Sequence, residues 1–242
     1  MKQFKVERAI ILAAGLGTRM RPVTDNLPKP LVKVLEKRII ETSLDALIAA
    51  DINDIYIVCG YLADKFQCLA DNYPTLKFII NNQYRESNNI SSILCAKNLI
   101  RNAYVIEGDL FLKNPDIITP FQSESNYLGI YKNYTGDWCL YSDKDGYINK
   151  MAIGGRDCYQ MVGISYWTAE DGEKLANHAE KVFTSPDGKA RYWDEIALSI
   201  FKSEYKIRIR KCTAEDVVEI DTFEELQEID STYLKWSVQN ET

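Results

Sequence analysis

Leu12-Ala13-Ala14-Gly15-Leu16-Gly17-Thr18-Arg19-Met20-Arg21-Pro22 is followed closely by Pro28-Lys29-Pro30. The stretch grows out of an apolar run, Ala9–Ala14, which reads as a buried strand ended by Gly15-Leu16-Gly17. Glycine lets backbone N–H groups approach a phosphate with no Cβ in the way. Arg19 and Lys29 add charge-assisted donors. No Gly-Lys-Ser/Thr follows, so this is not a P-loop, and Met20 stands where a dinucleotide fingerprint has its third glycine. The stretch predicts an anion site at the end of a buried strand.

Moving outward, apolar positions at helical spacing over 37–50 predict a helix, and Ile55–Cys59 a second strand ended by Gly60. A helix over about 62–72, a strand at Lys77–Ile80, a helix over about 90–101 and a strand at Tyr104–Ile106 follow. This alternation predicts a parallel sheet with helices on both faces. After about residue 125 the pattern changes. Tyr127–Tyr131, Trp138–Ser142, Tyr147–Ala152 and Tyr159–Trp167 read as strands, with Asp143-Lys144-Asp145-Gly146 as a hairpin turn. Helices over about 169–183 and 193–202, strands at Lys206–Lys211 and Val217–Glu219, and a closing helix over 222–236 complete the chain. Thr222 with Glu225 makes a capping box at the start of that helix. The expectation is one α/β domain over 1–242, with a nucleotide half at 8–125, an antiparallel acceptor insertion at 126–220 and a closing segment at 221–242.

The chain has 242 residues, 46% of them apolar and 26% charged, which excludes a coiled coil, a collagen and a disordered tail. Its net charge of −6 argues against a general nucleic-acid binder. Residues 1–40 nonetheless hold nine Lys and Arg against three acids, a basic end suited to a small anion. No apolar run reaches the length of a membrane span, so no membrane insertion is expected. The six cysteines show no metal or redox spacing, read as reduced small hydrophobes and suggest a cytoplasmic setting. The single histidine, His178, reads as incidental in a surface helix. Oligomeric state is left open.

The residues at 12–20, 22, 24 and 28–30 resemble the sugar-phosphate and choline-phosphate nucleotidyltransferases. Their mark is Leu-Ala-Ala-Gly-x-Gly-Thr/Ser-Arg-Leu/Met, then x-Pro-x-Thr, then Pro-Lys-Pro/Ala. The resemblance extends over about residues 8–236 and implies a Rossmann-like, mostly parallel sheet of the nucleotide-diphospho-sugar transferase type. It implies that the backbone near Ala13, Gly15 and Gly17 holds base and phosphates, that Arg19 meets the triphosphate, and that Lys29 sits between the α-phosphate and the incoming phosphate. Asp109 ends the strand Val105-Ile106-Glu107-Gly108-Asp109, where open α/β sheets bind ligands. With Asp221, in Glu219-Ile220-Asp221, it matches the family's acids for Mg²⁺; Glu107 is the nearest rival.

Asn81-Asn82 and Asn88-Asn89-Ile90-Ser91-Ser92 resemble the Asn pair of choline-phosphate cytidylyltransferases, which favours CTP and makes Asn81, Asn88 and Ser91 nucleotide-binding candidates. Ordinary helix capping is the plainer reading of those residues. For the acceptor, quaternary ammonium groups sit on aromatic faces helped by a carboxylate. The choline-type relatives resemble this chain at Trp138, Tyr166, Tyr192, Trp193 and Asp194. These become the acceptor-binding candidates, with CTP and a small phosphorylated amine as the expected partners. Of Tyr166 and Trp167, adjacent on one strand, only one can face the site. The expected activity is magnesium-dependent transfer of a cytidylyl group to phosphocholine. Phosphoethanolamine, an aminoethylphosphonate, a sugar 1-phosphate or a non-catalytic nucleotide sensor are the alternatives.

Overall fold

The computed structural model describes residues 3–236. Its centre is a seven-stranded sheet. In chain order the strands are β1 (Arg8–Ala13), β2 (Ile55–Cys59), β3 (Lys77–Ile80), β4 (Ala103–Glu107), β6 (Asn126–Ser142), β7 (Ile148–Trp167) and β8 (Arg208–Cys212). Two further strands, β5 (Leu110–Leu112) and β9 (Val217–Glu219), pair antiparallel outside it. The sheet order is β8-β6-β7-β4-β1-β2-β3. Only β7 runs against the others.

Period-two alternation drives β1 into the middle of this sheet. Ala9, Ile11 and Ala13 enter the core on one face, and Ile10 and Leu12 the core on the other. Helix α1 (Ile39–Ala49) buries Ile40, Leu44 and Leu47 against the first face. Each such side chain contributes about 1.5–3 kcal/mol by leaving water. The helices α2 (Ile90–Cys95) and α3 (Ala169–Phe183) cover the second face, with Ile90, Ile93, Leu175 and Ala179 buried there. The expected α/β architecture with helices on both faces is therefore present.

Several elements are shorter or more continuous than the sequence reading. Ala63–Leu69 is a 3₁₀ helix rather than an α-helix, and Ile196–Ile200 is a five-residue π-type turn. The four strands expected after residue 125 merge into the two long strands β6 and β7. They fold over the Asp143–Gly146 turn, where Gly146 takes a φ of 86°. The closing helix α4 (Phe223–Ile229) begins at the Thr222–Glu225 capping box. A 3₁₀ turn, Ser231–Lys235, then carries the chain on.

His178 is buried rather than on a surface, stacked on Phe201 at 3.9 Å with its Nδ1 2.9 Å from the Tyr205 hydroxyl. None of the cysteines is disulfide-bonded; Cys59, Cys139 and Cys158 are core residues, whereas Cys68 and Cys95 are exposed. No described helix is long and apolar enough to cross a membrane.

Candidate active site

The strand order changes direction at β1: β2 lies on one side and the later β4 on the other. The crevice beyond the carboxyl ends of two such strands is where open α/β sheets take ligands. Here it holds the 12–30 stretch and the 107–109 stretch side by side. Gly17 adopts a φ of 61°, and a Cβ there would lie 3.0 Å from the Lys29 Cβ. The Thr24 hydroxyl donates to the Gly17 carbonyl at 2.8 Å, and the Tyr61 hydroxyl sits on the Thr24 and Asp25 carbonyls. The loop is thus folded back on itself, which carries Lys29 under Gly17.

Asp109 and Asp221 are distant in sequence and are brought together by the β5–β9 pair. Glu219 lies opposite Leu110 in the register, so Asp109 immediately precedes one strand where Ile220 and Asp221 leave the other. The Ile220 N–H donates to the Asp109 carbonyl at 3.4 Å. The Lys29 ammonium lies between the two acids, 2.7 Å from Asp109 Oδ2 and 2.8 Å from Asp221 Oδ1. Burial alone would lower the Lys29 pKa, but the two carboxylates outweigh it and hold it above the ordinary lysine value. Arg19 Nη2 reaches Asp221 at 3.0 Å from a position that is 67% exposed. Helix α4 is capped by Thr222, which leaves the Asp221 carboxylate to the site.

More acid surrounds this centre than Lys29 and Arg19 neutralise. Glu107, Asp109 and Glu219 each place a carboxylate oxygen within 4.8 Å of the other two. Burial first, then Asp109 and Asp194, push the Glu107 carboxyl up to about 8. Glu219 is exposed as a residue, yet its carboxyl end is hemmed in and shifted up, by desolvation and then by Asp109, Asp221 and Glu107. Asp109 Oδ1 is buried with no hydrogen-bond partner among the described residues. Hard oxygen donors, acids crowded enough to hold their protons when no cation is near, and an orphaned carboxylate oxygen fit a divalent cation such as magnesium.

Two cavities share this acid centre. The first, of about 350 Å³, is lined by the 12–19 loop, Lys29, Asn81, Tyr84 and the 87–92 segment. The second, of about 530 Å³, is lined by Tyr127, Asp137, Trp138, Gln160, Tyr192 and Asp194, among others. Arg19, Asn89, Glu107, Asp109 and Asp221 belong to both linings.

The second cavity owes its shape to a break in the β6–β7 ladder. Thr135 pairs with Gly155, and the next pair is Trp138 with Ile153, so Gly136 and Asp137 bulge out. A bulge re-aims the side chains that follow it. Trp138 then meets Tyr192 edge-to-face, with ring centroids 5.7 Å apart. Asp194 forms part of the wall, accepting from the Tyr127 hydroxyl at 3.3 Å. Burial raises its carboxyl to about 6.

The predicted nucleotide residues Ala13, Gly15, Gly17, Asn81, Asn88 and Ser91 all line the first cavity. The Asn81 amide, however, is consumed internally: it donates to the Ser91 and Ser92 hydroxyls and accepts from the Gln83 N–H. Asn88 turns its amide to the Ala190 carbonyl. Among the predicted acceptor residues, Trp138, Tyr192 and Asp194 line the second cavity. Tyr166 and Trp193 do not. Tyr166 is fully buried against Tyr104, because its position on β7 faces the α1 side of the sheet. Trp167 faces the opposite core, so neither of the adjacent pair reaches the cavity.

Trp193 is fully buried behind Tyr127, stacked on it at 6.3 Å and edge-on to Trp167. Its indole N–H has no well-aligned partner, though it lies near enough to Glu107 to favour that acid's ionised form slightly. Residues the sequence reading left out of the candidate set include Asn89, Tyr127, Asp137, Gln160 and Glu219. Glu107, named as the rival to Asp109, is the last residue of β4, and Asp109 follows it in the turn before β5.

Residues 8–126 match the sequence profile of the family described as Nucleotidyl transferase. Over 93% of its length the chain is 36% identical to the 2-aminoethylphosphonate cytidylyltransferase of Lancefieldella rimae, covering 93% of that protein. The chain belongs to the nucleotidyl transferase family. The choline-phosphate cytidylyltransferase of Streptococcus pneumoniae is 32% identical, over 92% of this chain and 96% of that one. The solved structure of the CTP:phosphocholine cytidylyltransferase from Streptococcus pneumoniae superposes with a TM-score of 0.87 at 30% identity, over 95% of this chain and 99% of that one. An inositol-1-phosphate CTP transferase from T. maritima shares the nucleotidyl transferase fold, with a TM-score of 0.75 at 15% identity over 98% and 97% of the two chains.

Proposed function

We propose that the protein transfers a cytidylyl group from CTP to a small phosphorylated amine, phosphocholine in the first instance, with release of pyrophosphate. The observation that carries this reading is the position of Asp109 and Asp221 on the wall shared by a loop-lined cavity and an aromatic, acidic one, with the Lys29 ammonium held between them at the edge of the first. The names of the two full-length relatives support CTP as the donor and an amine-bearing acceptor.

In this reaction an oxygen of the acceptor phosphate forms a new bond to the α-phosphorus of CTP. The bond from that phosphorus to the β-phosphate bridging oxygen breaks, and pyrophosphate leaves with the electron pair. A phosphate monoester near neutral pH is already anionic, so no general base is needed. The task is alignment and neutralisation of crowded negative charge. Lys29 would lie between donor and acceptor phosphates, and Arg19 would meet the triphosphate from the exposed side. A magnesium ion held by Asp109 and Asp221, beside the Glu107 and Glu219 carboxyls that crowd Asp109, would neutralise charge on the reacting phosphates. In the second cavity Trp138 and Tyr192 would take the cationic amine on their faces, with Asp194 supplying the counter-charge.

A second acceptor, 2-aminoethylphosphonate, is favoured by Asp137 and Gln160 beside Trp138. Gln160 Nε2 donates to Asp137 Oδ2 at 3.1 Å, leaving acceptor oxygens that a primary ammonium can use and a trimethylammonium cannot. Incubation with each of four nucleoside triphosphates and a panel of phospho-amines, aminoethylphosphonate and sugar 1-phosphates, with pyrophosphate as readout, tests the proposal. The expected result is turnover with CTP and an amine, fastest with phosphocholine. Faster turnover with a sugar 1-phosphate would refute the class of acceptor; faster turnover with aminoethylphosphonate would refute only the choice within it.

A further inference from the structure

Asn89 stands at the start of helix α2 in the place of an N-cap, yet its side chain makes no capping bond. Its Oδ1 instead accepts the backbone N–H of Trp193 at 3.0 Å, across 104 positions of sequence. Because an N–H must meet an acceptor, this bond fixes the orientation of the amide. Nδ2 is then turned toward Glu107, whose Oε1 lies 3.4 Å away. Asn88 adds two bonds to the same loop: its N–H donates to the Lys189 carbonyl at 2.7 Å and its Nδ2 to the Ala190 carbonyl at 3.3 Å. The loop so held carries Tyr192 and Asp194 into the second cavity, while Asn88 lines the first and Asn89 stands on the wall between the two.

We infer that Asn89 is a positioning residue that sets the acceptor-binding loop from the nucleotide side of the site. It acts through Trp193 and Glu107 and need not touch the amine. The inference rests on the two-cavity reading above and adds to it a physical link between the cavities. It also explains the choice of residue. Aspartate would accept from Trp193 equally well but has no N–H to give the Glu107 carboxyl. Serine and alanine cannot reach both partners.

Three variants of the full chain test this: Asn89→Ala, Asn89→Asp, and Asn89→Asp combined with Glu107→Gln. The last exchanges donor for acceptor: the amide introduced at position 107 donates to the carboxylate introduced at position 89, while Trp193 keeps its acceptor. Calorimetry with CTP and with phosphocholine gives the two affinities. Asn89→Ala is expected to weaken phosphocholine at least about tenfold and CTP less than about threefold. Asn89→Asp is expected to weaken phosphocholine also, and the double variant to recover most of that loss. Hydrogen exchange over residues 189–194 supplies a readout that needs no ligand: faster in Asn89→Ala, and restored toward wild type in the double variant.

CTP weakened as much as phosphocholine would make Asn89 a nucleotide-reading residue and overturn the inference. A double variant no better than Asn89→Asp, or unchanged exchange over 189–194, would overturn it as well. Wild-type protein that releases no pyrophosphate from CTP with any amine would instead refute the proposed reaction, while the exchange data still decide the role of Asn89.

Discussion

The two cavities are built by different means. The first is made mainly from contiguous sequence: the 12–19 loop, Lys29 just below it, and the 87–92 segment, all at the ends of parallel strands. The second is assembled from β6, β7, the 192–194 loop and the 219–221 exit of β9, segments far apart in the chain. The first is framed by glycine and backbone; the second is acidic and aromatic. A loop at a strand end fixes backbone donors for a phosphate that every nucleotide carries. A bulged ribbon and a long loop present side chains, which can be exchanged without disturbing the sheet. Acceptor choice is therefore free to vary where nucleotide binding is not.

The largest expected effect lies at the two shared acids and the lysine they hold. Lys29→Ala should lower kcat about 10²–10³-fold while leaving CTP affinity within about threefold, because its charge matters most where negative charge builds during transfer. Weaker CTP binding with an unchanged kcat would move Lys29 from the chemistry to the nucleotide cavity alone. Asp109→Ala and Asp221→Ala should each remove most turnover. Both hold Lys29 and both are proposed for the same cation, so the double variant should be little worse than either. Fully additive losses would separate the two acids and dissolve the common centre.

Next come effects confined to the second cavity. A desolvated cation–π contact is worth about 2 kcal/mol, roughly thirtyfold in affinity. Trp138→Ala should raise the KM for phosphocholine at least about tenfold and leave that for CTP nearly unchanged. Tyr166→Phe sharpens the contrast. It removes only a hydroxyl 3.4 Å from Asn102 Oδ1, inside the core, so neither KM should move. A raised phosphocholine KM in Tyr166→Phe would mean that the aromatic reading of this strand was wrong in the other direction.

The smallest expected effect is a pH dependence. Asp194 is raised to about 6 by burial. It is charged above that pH and attracts a cation; below it, the acid takes a proton and the attraction is lost. The kcat/KM for phosphocholine should therefore fall as pH drops through about 6, and this step should be missing in Asp194→Asn. A cationic acceptor held on the carboxylate favours the charged form, so the same step in kcat should lie at lower pH. An identical step in Asp194→Asn would assign it to another group.

The contrast between the cavities also sets what the sequence reveals. The β1 strand and its glycine turn were readable because apolar residues, turn residues and charges stand next to one another. Asp109 and Asp221 were readable as strand-end acids, although only the β5–β9 register explains their meeting. Tyr166 and Trp193 were misplaced because an aromatic side chain looks the same to the sequence in a core and in a pocket. The face of β7 and the layer behind Tyr127 decided against them. Asp137 was missed because residues 132–137 read as a connection between two strands, whereas β6 runs through them with a bulge that turns Asp137 toward the cavity. Asn89 was quoted within its motif, but its partner Trp193 lies in a loop whose approach no local pattern encodes.

The most direct measurement is a crystal structure with CDP-choline bound. The cytosine and ribose should lie in the cavity between the 12–19 loop and the 87–92 segment. The diphosphate should lie at Lys29, and the trimethylammonium within about 6 Å of the Trp138 or Tyr192 ring centroid with Asp194 beside it. A base seated among Trp138, Tyr192 and Asp194, or a trimethylammonium pointing into solvent away from all three, would contradict the assignment of the two cavities.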